Sequence, residues 1–158
     1  MPDKLDSLSL LGIDHVAHGV CISGWRATQH THSLREMGLT RVLKLYEASP
    51  YWPDDFTVCD NPLNDGELVP LALLQRGVYF IHEHVQAGDP VLVQCGAGIS
   101  RSSTFVLAYL IDQGYPLPDA WKRLKEKHPQ ADPHPQMWQS LINHYGLPYK
   151  LKDIAQLL

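Results

Sequence analysis

The chain has 158 residues, 13 Lys plus Arg against 17 Asp plus Glu, and a formal net charge of −4. That length fits one domain over residues 1–158, and 44% apolar against 19% charged residues excludes compositional disorder. The acidic balance argues against duplex nucleic acid or an anionic membrane as main partner, since both reward a basic surface. The longest apolar run, Phe105 to Ile111, is far short of the ~20 residues a membrane span needs. The first residues lack the basic start and long apolar run of a signal peptide. Three cysteines do not make a disulfide framework, so a reducing cytoplasm is the default; a monomer is expected.

In chain order, Ile13 to Ser23 mixes polar and β-branched residues and ends at Gly24, predicting one or two strands. Thr31 to Met37, stopped by Gly38, predicts a short helix. Arg41 to Tyr46 alternates with period two and predicts a strand. Phe56 to Leu63 is a weaker strand, because Pro62 cannot donate to a ladder. Leu71 to Val85 has apolar residues at helical spacing and stops at Gly88, and Pro90 to Gln94 suits a buried strand. Ser102 to Asp112 is apolar almost all round, as in a core helix. Leu117 to His128 is amphipathic, with Pro118 near its start and Pro129 at its end. A proline-rich turn, His128 to Pro135, leads to a last long helix, Gln136 to Tyr145, and the tail after Pro148 suits a further short helix. Strands alternating with helices imply an α/β fold with a mostly parallel central sheet flanked by helices. In such a sheet the active site belongs at the carboxyl ends of the strands.

The informative stretch is Val91 to Ser102, VLVQCGAGISRS. A buried strand ends at Gln94, a loop with two glycines follows, and an apolar helix begins near Arg101. A loop at a helix N-terminus gathers unpaired N–H groups and the positive end of the helix dipole, so it binds anions. Gly96 and Gly98 let several N–H groups point at one centre. Cys95, at the first position, faces a field that favours the thiolate, the nucleophilic form. Arg101 can return to the mouth and grip two phosphate oxygens as a fork. A thiolate facing a phosphate held in this way describes phosphoryl transfer through a cysteinyl-phosphate. A buried structural cysteine, the bland alternative, requires none of this context.

CGAGISRSS resembles the signature loop of cysteine-based protein phosphatases, most closely the dual-specificity branch. VLVQC before it, VLAYLI after it, and HPQADPHPQMWQSL towards the C-terminus resemble the matching strand, helix and turn of that branch. The resemblance runs from about Ile13 to Tyr145. It implies a cysteine-based phosphatase fold and a two-step hydrolysis of phosphomonoesters without metal or cofactor. It makes Cys95, Gly96, Ala97, Gly98, Ile99, Ser100 and Arg101 the phosphate-binding loop. It also implies that Ser102 hydrogen-bonds the sulfur as it leaves, and that an Asp on a separate loop protonates the leaving group and then acts as base. One departure stands in the motif: the family usually has His before the cysteine, and here it is Gln94, whose amide can also donate and accept.

Three carboxylates compete for the acid role. Asp54, in Trp52-Pro53-Asp54, spells the acid-loop tripeptide of tyrosine-specific phosphatases. It precedes the strand from Phe56, at that strand's amino end, and is rejected on that ground. Asp60 lies within the strand, where a carboxylate is more often an edge or ion-pair residue. Asp65 follows the strand on a turn carrying Gly66, 30 residues before Cys95, and resembles the dual-specificity arrangement; it is favoured over Asp60.

His30/His32 and His82/His84 are two apart, not at the i, i+4 spacing of a helical zinc pair, and no metal is expected. Cys21 and Cys59 read as packing residues on strands, with a Cys59–Cys95 disulfide as a minor alternative. Trp25, Trp52, Trp121 and Trp138 read as core or rim aromatics. Between Cys95 and Arg101 the loop is small or apolar and uncharged. That favours phosphorylated protein, on tyrosine as well as serine or threonine, over polyphosphorylated small molecules. The alternatives are a phosphate-binding pseudophosphatase, for which Gln94 is the support, and an RNA or nucleotide phosphatase, which the acidic balance disfavours.

Overall fold

The computed structural model describes residues 3–157. The first apolar segment is a hairpin: β1 (Asp14–Ala17) and β2 (Val20–Ser23) pair antiparallel around Gly19, whose φ of +72° suits a residue without Cβ. β3 (Arg41–Lys44), β4 (Thr57–Asp60) and β5 (Val91–Gln94) complete a five-stranded sheet in the order β1-β2-β5-β3-β4. β5 lies between β2 and β3, parallel to both, and β3 is parallel to β4. All four residues of β5 are buried, which is why it reads as a continuous apolar run.

The helices are α1 (Thr31–Glu36), α2 (Leu71–Gln86), α3 (Arg101–Asp112), α4 (Leu117–Lys127), α5 (Pro135–Tyr145) and α6 (Ile154–Leu157). Successive strand residues serve two cores. Val20, Ile22, Leu43, Val91 and Val93 point into the larger one, under α2, α3, α4 and α5. Cys21, Val42 and Leu92 point to the other face, where α1 and two 3-10 segments, Lys4–Leu11 and Trp25–His30, cover the sheet. Helix α3 is buried continuously from Ser102 to Leu110, as its all-round apolar sequence predicts.

The structure corrects the sequence reading in three places. β4 is shorter than the Phe56–Leu63 segment. The Phe56 N–H turns back to the Pro53 carbonyl, and beyond Asp60 only Asn61 and Leu63, on either side of Pro62, donate to the Lys44 and Leu45 carbonyls. Arg41 to Tyr46 alternates in chemistry, yet Val42 to Tyr46 are all buried, because β3 is an interior strand. The two 3-10 segments were not predicted, although Leu5, Leu8 and Leu11 of the first recur at the three-residue spacing of such a helix. The tail does turn helical, in a 3-10 turn at Leu151–Asp153 and then α6.

The parallel register places Ser23, Gln94, Lys44 and Asp60 in one row across the sheet. Every loop leaving that row starts at the same end of the molecule, and one of them begins at Cys95.

Helices α2 and α3 meet at Gly77, where an added Cβ would stand 2.3 Å from Phe105 Cε1. Phe105 is fully buried and has nowhere to swing. Alanine gains about 1 kcal/mol in helix propensity over glycine, but an overpacked core contact costs ~1–3 kcal/mol. Gly77→Ala is therefore expected to lower the urea midpoint of unfolding; a raised midpoint would show that the two helices do not need this close approach.

Candidate active site

β5 delivers Cys95 to the start of a loop that ends where α3 begins, at Arg101. Two backbone approaches shape that loop. Gly98, with φ of +74°, lies so close to the β2 exit that a Cβ on it would sit 2.7 Å from the Gly24 amide nitrogen. A Cβ on Gly24 would sit 2.8 Å from the Gly96 carbonyl oxygen. Neither position has room for a side chain. The Gly96 carbonyl accepts from the Trp25 N–H at 2.9 Å, and the Ile99 carbonyl from the Asp132 N–H at 3.0 Å. A trans peptide holds C=O and N–H on opposite edges, so fixing these carbonyls also fixes the directions of the Ala97 and Ser100 amides.

Within the loop, Cys95 Sγ accepts the Gly98 N–H at 3.2 Å and lies 3.2 Å from Ser102 Oγ. Cys95 is 2% exposed and Ser102 fully buried. Arg101 does return to the loop, but one of its nitrogens is already engaged. Nη1 donates to the Leu45 carbonyl at 3.3 Å and the Leu63 carbonyl at 3.1 Å, while Nη2 lies against Gly96. Nε and Nη2 remain for a bound anion.

Asp65 stands in the same cavity of about 330 Å³ as Cys95, Ala97, Ile99, Ser100 and Arg101, with the turn Asp132–Pro135 as the far wall. Its Oδ1 accepts from Ser100 Oγ at 2.6 Å, and the same hydroxyl accepts the His134 N–H at 2.9 Å. Ser100, read from sequence only as part of the loop, thus ties it to Asp65. Asp60, the second candidate, does not line this cavity. It is exposed and 3.6 Å from the Nζ of buried Lys44, the ion-pair role that an edge-strand carboxylate suggests. Asp54 is exposed, on the turn before the amino end of β4.

Gln94 is fully buried. Its Oε1 accepts the Trp52 indole N–H at 2.9 Å and its Nε2 donates to the Gly24 carbonyl at 3.3 Å. The amide therefore braces the β2 exit against which the loop packs. Trp52 is a core aromatic packed at a tilt against Phe56, whereas Trp25 is 39% exposed beside the loop it anchors. His128, 1% exposed, joins Gly98 to Asp14. No short-range signal marks this pair, since the two residues are 114 positions apart.

Burial raises the thiols of Cys21 and Cys59 above the ordinary range. Cys59 is level with Leu43 and Val93 in the sheet. It is therefore two strand spacings from β5, roughly 9–10 Å, and two residues short of Cys95. That exceeds the Cα separation of ~7 Å beyond which a disulfide cannot close, so the Cys59–Cys95 link is set aside. Among the described residues no three His, Cys, Asp or Glu side chains gather as metal ligands.

Residues 23–146 match the family model described as dual specificity phosphatase, catalytic domain. Two Arabidopsis thaliana proteins are similar. Dual specificity protein phosphatase PHS1 is 30% identical over 81% of this chain and 14% of its own length. Dual specificity protein phosphatase 1B is 30% identical over 78% of this chain and 75% of its own. The crystal structure of human DUSP28 superposes with a TM-score of 0.76 at 26% identity, covering 84% of this chain and 92% of that one. The chain thus corresponds to a small part of PHS1 and to most of the other two.

With Cys21 and Cys59 held as thiols by burial, iodoacetamide at neutral pH is expected to modify Cys95 first. Peptide mapping by mass spectrometry reads this directly; label appearing first on either strand cysteine would contradict it.

Proposed function

Because the chain belongs to the dual-specificity phosphatase catalytic-domain family, we propose that it hydrolyses phosphotyrosine and phosphoserine or phosphothreonine monoesters of proteins through a cysteinyl-phosphate. The observation that carries this reading is Cys95 Sγ, bonded to the Gly98 amide and beside Ser102 Oγ, at the floor of a cavity that Asp65 and Arg101 share.

In the first step the Cys95 thiolate attacks phosphorus as the ester P–O bond breaks, and Asp65 gives its proton to the departing oxygen. The Ser100 hydroxyl accepts from the His134 N–H, so its own proton goes to Asp65 Oδ1. That leaves Oδ2 to carry the transferable proton. Loop amides and Arg101 hold the equatorial oxygens as charge rearranges. In the second step Asp65 takes a proton from water, the water oxygen attacks phosphorus, and the S–P bond breaks. The sulfur leaves as a thiolate that accepts from Ser102, and inorganic phosphate is released.

The lining supports a monoester substrate on protein. It contains one arginine, no lysine and two aspartates, Asp65 and Asp132, a poor match to a polyphosphorylated ligand. The pseudophosphatase alternative rested on Gln94, and the contacts of Gln94 to Trp52 and Gly24 remove that support. Every residue that lines the cavity, from Asp65 to Pro135, lies within the matched span 23–146, which supports reading the chain as one catalytic domain. Among the described residues no helix is long and apolar enough to cross a membrane.

Cys95→Ser is expected to abolish hydrolysis of an aryl phosphate, and a chelator to leave the wild-type rate unchanged; turnover in the variant, or loss on chelation, would overturn the mechanism. A general acid contributes roughly 10²- to 10⁴-fold, most where the leaving group is a poor one. Asp65→Asn should therefore slow alkyl phosphates far more than nitrophenyl phosphate. An unchanged rate would transfer the role to Asp60, and equal slowing of both substrates would show that Asp65 is not the acid.

A further inference from the structure

His128, at the end of α4, is almost fully buried, and neither of its ring nitrogens faces a donor. Nδ1 is 2.6 Å from Asp14 Oδ2 on β1, and Nε2 is 2.5 Å from the Gly98 carbonyl oxygen. A carboxylate and a peptide carbonyl both accept, so the two contacts are satisfied together when both nitrogens donate, as they do in an imidazolium. We propose that this buried imidazolium is a positioning residue of the phosphate loop. By holding the Gly98 carbonyl outward it turns the Ile99 N–H, on the opposite edge of the same trans peptide, toward the bound oxyanion. The proposal rests on the phosphatase reading only for the consequence in turnover; the grip on the loop is independent of it.

The proton matters because a neutral ring has one N–H for two acceptors. The Asp14 carboxylate is the stronger claimant, since a charge-assisted bond outweighs a neutral one. On deprotonation the remaining N–H therefore stays at Nδ1, and Nε2 presents a lone pair to the Gly98 carbonyl. The peptide is then free to rotate and the amide loses its fixed direction. The charged and titratable groups around the ring come from several elements. Asp14 pairs with it from β1. Arg26 and His30 of the Trp25–His30 segment face it across a cavity of about 460 Å³. Lys125 of α4 donates to the Pro129 and Ala131 carbonyls of the turn that follows. Cys95 lies on the loop itself, bonded to the Gly98 amide.

The test uses tungstate, a tetrahedral dianion whose charge is constant across the range, bound to the full chain from about pH 6 to about pH 9. Losing a hydrogen bond from a charged donor corresponds to about tenfold or more in affinity. Wild type is expected to bind at least about tenfold more weakly at the alkaline end. His128→Arg keeps a permanent charge and two donors, with the neighbouring cavity as room for its length, and is expected to stay flat with pH beyond changes shared by both proteins. His128→Gln, with one donor group and no charge, is expected to be weak throughout. Every other side chain is the same in all three proteins, so the difference between profiles belongs to His128. Identical profiles for wild type and His128→Arg would overturn the proposal. If neither variant folds, nitrogen-15 spectra of histidine-labelled wild type decide: two protonated ring nitrogens on His128 at about neutral pH support it, and one bare nitrogen ends it. A pH-weakened tungstate affinity in a protein without turnover would count against the phosphatase reading while supporting this one.

Discussion

A loop that collects an anion with its amides must find somewhere else for its carbonyls, because a trans peptide keeps the two on opposite edges. Around Cys95 that requirement is met by distant parts of the chain. Trp25, just past β2, takes the Gly96 carbonyl; His128, at the end of α4, takes that of Gly98; Asp132, in the turn before α5, takes that of Ile99. Thr104, one turn into α3, takes that of Ser100 with both its N–H and its hydroxyl. The inner surface of the loop is thus determined by an outer ring of donors, and that ring exists only when the hairpin, α3, α4 and the proline-rich turn are packed together.

The same end of the sheet fixes the other half of the site. Ser23, Gln94, Lys44 and Asp60 form one row, and the first three spend their side chains on a neighbouring loop. Ser23 and Gln94 donate to the Gly24 carbonyl. Buried Lys44 donates to the Ala48 carbonyl at 2.6 Å, beneath the rings of Tyr46 and Tyr51, and Asp60 balances its charge. Arg101 then joins the loops leaving β3 and β4 through the Leu45 and Leu63 carbonyls. A residue read as a phosphate ligand is equally a brace between three loops, and its guanidinium is oriented by backbone groups rather than by solvent.

What the sequence disclosed was whatever chemistry is local along the chain. The run from Val91 to Ser102 announces strand, loop and helix because each depends on near neighbours: apolar residues for β5, glycines for the turns, an apolar cylinder for α3. Asp65 could be preferred to Asp54 because strand direction follows from chain order. The partners that make the loop rigid were hidden, since they join residues far apart: Trp52 with Gln94 across 42 positions, His128 with Asp14 across 114. The shortened β4 and the two 3-10 segments escaped for a different reason. Their bounds follow from edge position and from packing against one face of the sheet, and the three-residue recurrence of Leu5, Leu8 and Leu11 is too short a run to announce a 3-10 helix by itself.

Asp65 is bonded through Ser100 to the loop that carries the nucleophile, and this bears on timing. In enzymes whose acid rides on a separate flap, each cycle includes closing and reopening on a microsecond-to-millisecond scale, and that motion often limits the rate. Here the proposed acid and the sulfur belong to one hydrogen-bonded unit. The clock of such a site is set by bond breaking and by the escape of phosphate, and solvent viscosity should enter through diffusion of ligands alone.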